Sequence, residues 1–119
     1  MIRGVGVDIV DIRRFGRVME RYGERFLARL FTDGERAYCD VKLRSACHYA
    51  ARFAAKEAVI KVVGRGVTFR DIEVLREADG KPLLQVRGFE DGCRWHLSLS
   101  HDGDYSVAYV TMEDDSEAR

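Results

Sequence analysis

Residues 45–63 read SACHYAARFAAKEAVIKVV, and this stretch decides the fold. It is rich in alanine and contains neither glycine nor proline. It ends before Gly64, so it predicts an α-helix from about Ser45 to Val63 with a glycine C-cap. Apolar residues cover nearly the whole circumference of this helix, so we expect most of it to be buried.

The spacing of apolar residues predicts the other elements. The alternation in Ile2–Val10 predicts a strand with Val5, Val7 and Ile9 on one face and Gly4, Gly6, Asp8 and Val10 on the other. Apolar residues then recur every three or four positions from Ile12 to about Phe31, which predicts an amphipathic helix with Gly23 as a candidate break. A polar stretch, 32–35, follows. Further strands are predicted over 71–76, 82–87, 93–100 and 105–112, with Asp79-Gly80 as a hairpin turn.

This order of elements predicts the fold class and the domain limits. Helices come mainly first and antiparallel strands mainly last, so we expect an α+β fold with long helices packed on a mainly antiparallel sheet. A length of 119 residues suits one domain. We place that domain at residues 1–112, followed by an acidic C-terminal tail, 113–119, which has no apolar anchor.

Composition narrows the class of protein. Twenty basic and twenty acidic residues cancel, so overall charge favours neither nucleic acid nor an anionic membrane as a partner. No segment approaches the roughly 18 apolar residues of a membrane span, and the N-terminus lacks a signal-peptide pattern, so we expect a cytoplasmic protein. Cys39, Cys47 and Cys93 are odd in number and lack C-x-x-C spacing, which favours structural, reduced thiols.

Two acidic residues stand where a charge is costly. Glu57 projects from the buried helix one turn before Lys61, and Asp8 shares a strand face with two glycines. An exposed Glu–Lys pair contributes only ~0.2–0.5 kcal/mol, which is less than the cost of desolvating both charges. A helical ion pair and a solvent-facing edge strand are the structural alternatives. The functional interpretation makes Asp8 and Glu57 ligands of Mg²⁺, which one or two carboxylates typically hold together with waters and substrate phosphates.

The segment Leu97–Asp102 forms a third candidate. Ser98 and Ser100 lie on the polar face of a predicted strand, and His101 follows. A serine hydrolase triad is disfavoured, because adjacent strand residues point to opposite faces and the sequence has no nucleophile elbow. Hydroxyls and an imidazole that face a phosphate or a base are the favoured interpretation.

Four arginines of the first predicted helix form what we call the arginine stripe: Arg14, Arg17, Arg21 and Arg25. They lie within about 80° of one another on a helical wheel. A solvated face is the structural alternative. The functional interpretation is a docking surface for an acidic protein, where complementary charge mainly speeds the encounter.

Three motifs in order resemble the holo-[acyl carrier protein] synthases of the 4′-phosphopantetheinyl transferase superfamily. They are the N-terminal aspartate motif Gly6–Val10, the K-E-A-x-x-K helix in Arg52–Lys61 and the S-x-S-H-D strand end Ser98–Asp102. Asp79–Pro82 lies between the last two motifs. The resemblance spans nearly the whole chain.

The resemblance implies an activity. Coenzyme A would be the co-substrate, and a serine of an apo acyl carrier protein would attack its β-phosphate and release adenosine 3′,5′-bisphosphate, in support of fatty acid biosynthesis. Asp8 and Glu57 would hold Mg²⁺, with Mn²⁺ as an alternative, and Lys61 would neutralise charge on the phosphate oxygens. Glu57 or a water on the metal would take the serine proton.

The resemblance also implies an assembly. Larger relatives contain two copies of this unit, so a single-copy chain would form a homotrimer with active sites between subunits. A third acidic residue of those larger relatives is replaced by Val10, which leaves the metal with fewer protein ligands. Backbone N–H groups of the glycines after the helix would approach phosphate. The implied coenzyme A site comprises Arg52, Lys61, Gly64, Gly66, Lys81, Pro82, Ser98, Ser100 and His101.

Three alternatives stay open at this point. One is a transferase for polyketide or peptide carrier domains, and another is a non-catalytic module that binds coenzyme A or a nucleotide. The third is an RNA-binding domain that uses the arginine stripe, which the neutral overall charge disfavours. The acidic pair Asp8 and Glu57 separates these classes, because a plain phosphate or RNA binder gains nothing from carboxylates unless a metal lies between them and the ligand.

Overall fold

The computed structural model describes residues 1–64 and 66–115. The first half of the chain forms strand β1 (Ile2–Asp11) and helices α1 (Ile12–Leu30), α2 (Asp33–Asp40) and α3 (Ser45–Val63). The second half begins with a 3₁₀ turn (Phe69–Asp71) and continues with β2 (Ile72–Arg76), β3 (Pro82–Val86), β4 (Cys93–Asp102) and β5 (Tyr105–Asp114).

Two antiparallel sheets accompany the helices. The larger has the strand order β1-β5-β4, and the smaller is the hairpin β2-β3. The predicted turn at Asp79-Gly80 is confirmed, since Gly80 has a φ of 88° and its N–H donates to Glu77 O at 2.8 Å. The predicted α+β class is therefore confirmed.

Helix α3 packs against the larger sheet through the glycine face of β1. A Cβ on Gly6 would collide with the carbonyl oxygen of Ala58, and one on Gly4 would lie 2.6 Å from Val62 Cγ1. Helix and strand therefore approach at backbone distance, as glycines within a strand permit. Asp8 follows on the same strand face, which brings it against the C-terminal half of α3.

Helix α1 is broken where the sequence indicated. Asp11 caps its start by accepting a hydrogen bond from Arg14 N at 3.1 Å. Gly23 then adopts φ 63° and ψ −143°, values that interrupt the helix. Ile12 and Phe15 are buried before the break, but Tyr22 at the break is exposed, although the apolar spacing placed it on the core side.

Helix α2 corrects the interpretation of 32–35 as a polar stretch. Thr32 accepts a hydrogen bond from Glu35 N at 3.2 Å, and Glu35 accepts one from Thr32 N at 2.9 Å. This reciprocal pattern is a capping box, whose T-x-x-E signature is present in the sequence. The short helix it starts carries Tyr38 and Cys39 inward.

A buried ion pair connects this region to α3. Lys56 and Glu35 are both buried, and Lys56 Nζ lies 2.7 Å from Glu35 Oε1. Lys56 also donates to the carbonyl oxygens of Leu30 at 2.8 Å and Ile72 at 2.7 Å, and Glu35 accepts from Val74 N at 2.8 Å. Burial lowers the pKa of Lys56, and the carboxylate of Glu35 opposes that effect. Sequence analysis did not predict this pair.

The strands differ slightly from their predicted limits. The strand predicted over 71–76 begins at Ile72, because Asp71 belongs to the 3₁₀ turn. Strand β5 continues through Asp114, so Glu113 and Asp114 belong to the sheet and not to the predicted tail. Residues 116–119 of that tail lie outside the described residues.

Two findings on the described part of the chain concern its cysteines and its helices. Its three cysteines are free. No helix within residues 1–64 and 66–115 is long and apolar enough to cross a membrane.

Candidate active site

The carboxylate site, as we call Asp8, Glu57 and Lys61, joins β1 to α3. Lys61 Nζ lies 3.2 Å from Asp8 Oδ1 and donates to the carbonyl oxygen of Val7 at 2.7 Å. Lys61 therefore reaches across to the strand, instead of forming the helical pair with Glu57 that was the structural alternative. Asp8 lies two residues after Gly6, so its side chain is on the helix-facing side of the strand. This position allows its contact with Lys61.

Glu57 shares the electrostatic environment of Asp8. Partial burial raises the pKa of Glu57, the negative charge of Asp8 raises it further, and Lys61 lowers it. Burial is the main cause of the raised pKa, and Asp8 adds to it, so the charge of Glu57 is poorly compensated at this place. The prediction that Asp8 and Glu57 face one another is consistent with this coupling.

The donor set fits a divalent cation. Two carboxylates from different elements, one of them with a raised pKa, are the oxygen ligands that Mg²⁺ accepts together with waters and phosphates. Within the described ranges, no group of three or more His, Cys, Asp or Glu side chains is arranged to hold a metal. A metal held here by Asp8 and Glu57 would therefore have few protein ligands, and the metal role of these two residues stays a prediction.

A second feature lies near the N-terminal half of α3. It is a cleft of about 460 Å³ between α3 and the ends of β2, β3 and β4. We call it the basic cleft, because its lining includes five basic residues from separate parts of the chain: Arg44, His48, Arg52, Arg76 and His101.

Arg52 is the most informative of these residues. Its side chain is only 1% exposed, and it donates one hydrogen bond, to His48 O at 3.2 Å. Its Nε is buried and has no hydrogen-bond partner among the described residues. A buried guanidinium with an unpaired donor is costly, so an anion in the basic cleft would supply what Arg52 lacks. The predicted ligand role of Arg52 is consistent with this position.

The other predicted ligand residues are divided among several surfaces. Pro82, Ser98, Ser100 and His101 contribute to the basic cleft. Strand alternation nevertheless places Ser98 and Ser100 on the face opposite to His101. Lys81 lies along a neighbouring groove between β3 and β4.

Gly64 and Gly66, the two glycines after α3, were predicted to offer backbone N–H groups to a phosphate. Gly64 N–H donates to Ile60 O at 2.7 Å, so this N–H already completes the helix and is a poor phosphate donor. The place of Gly64 in the coenzyme A site stays a prediction. Gly66 has a φ of 99°, which favours glycine, and its role stays a prediction.

The carboxylate site and the basic cleft are separate within one chain. None of Asp8, Glu57 and Lys61 belongs to the lining of the basic cleft. Among the described residues, the carboxylate site and the cluster of cations are thus not combined in a single cavity.

The arginine stripe is exposed, but its geometry is less regular than a helical wheel implies. All four arginines are exposed. Arg25, however, follows the break at Gly23, so a continuous wheel does not fix its direction relative to Arg14, Arg17 and Arg21. The stripe proper consists of the three arginines before the break.

One face of the larger sheet is apolar and exposed. The strand alternation predicted for Val5, Val7 and Ile9 is confirmed, and these side chains are 51–61% exposed. Tyr105 and Tyr109 of β5 lie on the same face and are 51% and 47% exposed. We call these five side chains the outer face. Contiguous apolar surface of this kind marks an interaction site.

A family model described as the 4′-phosphopantetheinyl transferase superfamily matches residues 4–110. The chain belongs to this superfamily. The matched range contains the carboxylate site, the basic cleft and the whole outer face, so all three are features of a phosphopantetheinyl transferase.

Individual relatives of this phosphopantetheinyl transferase agree with that assignment. A holo-[acyl-carrier-protein] synthase of Geobacter sulfurreducens is 47% identical, over 95% of this chain and 98% of the relative. The crystal structure of the Neisseria meningitidis synthase has a TM-score of 0.86 and 34% identity, over 96% of this chain and all of that chain. A Bacillus anthracis synthase in complex with CoA (3′,5′-ADP) has a TM-score of 0.82 and 36% identity, over 96% and 98%.

Sequence analysis missed three residues of the transferase's basic cleft. Arg44, His48 and Arg76 come from the α2–α3 loop, α3 and β2, and only the fold brings them together. A weak signal existed for His48, because it lies four residues before Arg52 on the same helix. No comparable signal identifies Arg44 or Arg76.

Proposed function

We propose that this chain is a holo-[acyl-carrier-protein] synthase, which transfers 4′-phosphopantetheine from coenzyme A to a serine of an apo acyl carrier protein. The observation that carries the proposal is the convergence of Asp8, Glu57 and Lys61 at the junction of β1 and α3. The serine hydroxyl attacks the β-phosphate, the bond to the bridging oxygen breaks, and adenosine 3′,5′-bisphosphate leaves. The product serves fatty acid biosynthesis.

The side chains of the carboxylate site have distinct roles. Asp8 and Glu57 would hold Mg²⁺, which would supply charge neutralisation on the pyrophosphate. Lys61 keeps its position through Val7 O and presents its ammonium to the phosphate oxygens. Fixed charges that need no reorganisation are the main source of catalysis in phosphoryl transfer.

The basic cleft binds the adenosine end of coenzyme A. The pyrophosphate belongs to the carboxylate site, so the 3′-phosphate is the remaining anionic group for the cations to bind. Arg52 is suited to it, because its buried Nε lacks a partner among the described residues. His101, Pro82, Ser98 and Ser100 line the same cleft and would contact the nucleoside, and Lys81 would reach it from the neighbouring groove.

The active site forms between subunits of a homotrimer. Two observations support this arrangement: the outer face is apolar and exposed, and the carboxylate site is separate from the basic cleft in one chain. Assembly through the outer face would bring the carboxylate site of one subunit to the basic cleft of another. The reaction takes place in the cytoplasm, where free cysteines such as these stay reduced.

The arginine stripe docks the acidic carrier protein. Three exposed guanidiniums on one helix face attract negative charge over a Debye length of about 8 Å at physiological salt. Replacing Arg14 and Arg21 by Glu should raise the KM for the carrier about tenfold or more and leave the KM for coenzyme A unchanged. Steady-state kinetics at several salt concentrations test this, and an unchanged KM for the carrier in the variant would refute the docking role.

Intact-mass spectrometry of the carrier tests the activity. The protein is incubated with apo acyl carrier protein, coenzyme A and Mg²⁺, with a chelator control. We expect a metal-dependent mass gain of one phosphopantetheine. Glu57→Gln should abolish the gain, whereas Glu90→Gln, a matched change at an exposed loop residue, should not.

The same assay separates the alternatives. A mass gain seen only with polyketide or peptide carrier domains would make those domains the substrate, in place of the acyl carrier protein of fatty acid biosynthesis. No gain with any apo carrier would leave a non-catalytic coenzyme A or nucleotide module. Transfer that persists in Glu57→Gln would contradict the assigned role of that carboxylate.

A further inference from the structure

Tyr38 of α2 holds three cations around one aromatic ring. Its ring centroid lies 4.3 Å from Arg52 Cζ, 4.5 Å from Lys42 Nζ and 5.8 Å from Arg76 Cζ. The ring of His48 forms a T-shaped pair with the same ring, with 5.9 Å between the two centroids. These partners come from α3, β2 and the α2–α3 loop, so Tyr38 is the point at which three parts of the chain meet.

Such a cluster of positive charges needs a compensating group. Like charges in close proximity repel one another, and Arg52 is also removed from water. The electron-rich face of an aromatic ring attracts cations within about 6 Å of its centroid, and the attraction grows when the cation is desolvated. Tyr38 thus offsets part of the cost of holding Arg52 and Arg76 together before any anion binds.

Arg52 and Arg76 are also oriented by hydrogen bonds to the backbone. Arg52 donates to His48 O at 3.2 Å, and Arg76 donates to Gly80 O at 2.6 Å. Both residues line the basic cleft, whereas Lys42 does not. The ring and the two carbonyls together fix two guanidiniums at the wall of a cleft for an anion.

We propose that Tyr38 is a positioning residue that fixes Arg52 and Arg76 for the 3′-phosphate, and so makes the enzyme prefer coenzyme A to 3′-dephospho-coenzyme A. The inference rests on the proposed function, because it takes coenzyme A as the ligand of the basic cleft. Two oriented guanidiniums match a phosphate monoester dianion well, since each can donate paired hydrogen bonds to its oxygens. A ligand without that phosphate gains nothing from their orientation.

Fluorinated phenylalanines at position 38 provide the sharpest test. Mono-, di- and trifluorophenylalanine keep the shape of the ring while they progressively weaken its attraction for cations. The affinity for adenosine 3′,5′-bisphosphate should fall stepwise along this series, whereas the affinity for adenosine 5′-monophosphate should stay constant. Calorimetry measures both, and a flat response to the bisphosphate would overturn the proposal even if no carrier is ever modified.

Kinetics of variants with a standard amino acid at position 38 provide the second test. Tyr38→Phe keeps the ring and should retain the wild-type preference. Tyr38→Leu should raise the KM for coenzyme A about tenfold, the effect expected from losing one or two desolvated cation–π contacts. Its kcat and its KM for 3′-dephospho-coenzyme A should not change.

The outcomes distinguish a positioning role from a structural one. If Tyr38→Leu raises the KM for coenzyme A and the KM for 3′-dephospho-coenzyme A equally, the residue only supports the fold. That result would overturn the proposal. If Tyr38→Phe raises the KM for coenzyme A as much as Tyr38→Leu does, the effect belongs to the hydroxyl and not to the ring. That result would also overturn the proposal. Failure of the wild-type protein to modify any carrier would count against the proposed function, and the calorimetric series would still decide the role of Tyr38.

Discussion

His48 lies among positive charges from several elements, and its titration reports on the basic cleft. Partial burial lowers its pKa from the usual 6.5, and the charges of Arg52, Lys42, Arg76 and His101 lower it further. The imidazole is therefore neutral near pH 7 in the free protein. A bound anion offsets these cations, so it must raise the pKa of His48.

This coupling predicts that ligand binding takes up a proton. Because the anion raises the pKa of His48, the affinity for adenosine 3′,5′-bisphosphate should increase as the pH falls through the pKa of the free protein. Calorimetry in two buffers of different ionisation enthalpy measures the uptake. His48→Gln should lose it and His96→Gln should keep it. Equal proton uptake in wild type and His48→Gln would contradict the prediction.

Single residues differ in how far the sequence can identify them. Asp8 and Glu57 were predicted because each places a charge in a local pattern that is otherwise apolar or glycine-rich, and one chain segment suffices to show that. Tyr38, Arg44 and Arg76 look like ordinary surface residues in their own segments. Their roles arise from contacts between segments, which no local pattern encodes.

Among the elements, α3 and the hairpin β2-β3 were predicted well, whereas α2 was missed. Alanine content and the Asp79-Gly80 turn act locally, so sequence alone identifies those elements. Helix α2 depends on a capping box and on the burial of Glu35, a residue type that a sequence analysis assigns to the surface. The buried partner Lys56 comes from 21 positions later in the chain, and only the fold shows that the two charges compensate each other.

The pair between Glu35 and Lys56 predicts a large effect on stability. Lys56→Met should lower the free energy of unfolding by about 3–5 kcal/mol, because it leaves the Glu35 carboxylate buried without its cation. Urea denaturation followed by circular dichroism measures this change. The double variant with Glu35→Gln should recover part of the loss, since it also removes the unpaired charge.

A control variant shows whether the loss of stability is specific to the buried pair. Lys42→Met removes a half-buried cation of the neighbouring loop and should change the unfolding free energy by less than about 1 kcal/mol. A similarly small change in Lys56→Met would show that the buried pair contributes little to the stability of this fold.

At the scale of the whole molecule, the outer face predicts self-association. Val7→Glu places a charge in the centre of this apolar surface and should dissociate the proposed homotrimer. Val7 is half exposed in the single chain, so each subunit should keep its fold. Analytical ultracentrifugation and circular dichroism measure the two properties. A wild-type protein that is monomeric and fully active would refute the proposed assembly.

Mixing variants tests whether subunits share active sites. Asp8→Asn damages the carboxylate site and Arg52→Ala damages the basic cleft, so each variant alone should be inactive. Subunits exchanged between the two should regain part of the transfer activity, because some interfaces then combine two intact halves. Activity that does not return after verified subunit exchange would place both halves of the site in one chain.

The close approach of β1 and α3 at Gly6 also sets a limit for anyone who diversifies this enzyme. Every other amino acid at position 6 adds a Cβ that meets the carbonyl oxygen of Ala58, so in a saturation library selected for transfer we expect position 6 to tolerate glycine alone. A Cβ on Gly4 would meet the side chain of Val62 and not backbone, so position 4 should accept alanine more readily than position 6 does. The codon tolerance at these two positions would therefore measure, without a structure, how closely the strand must lie to the helix for the enzyme to work.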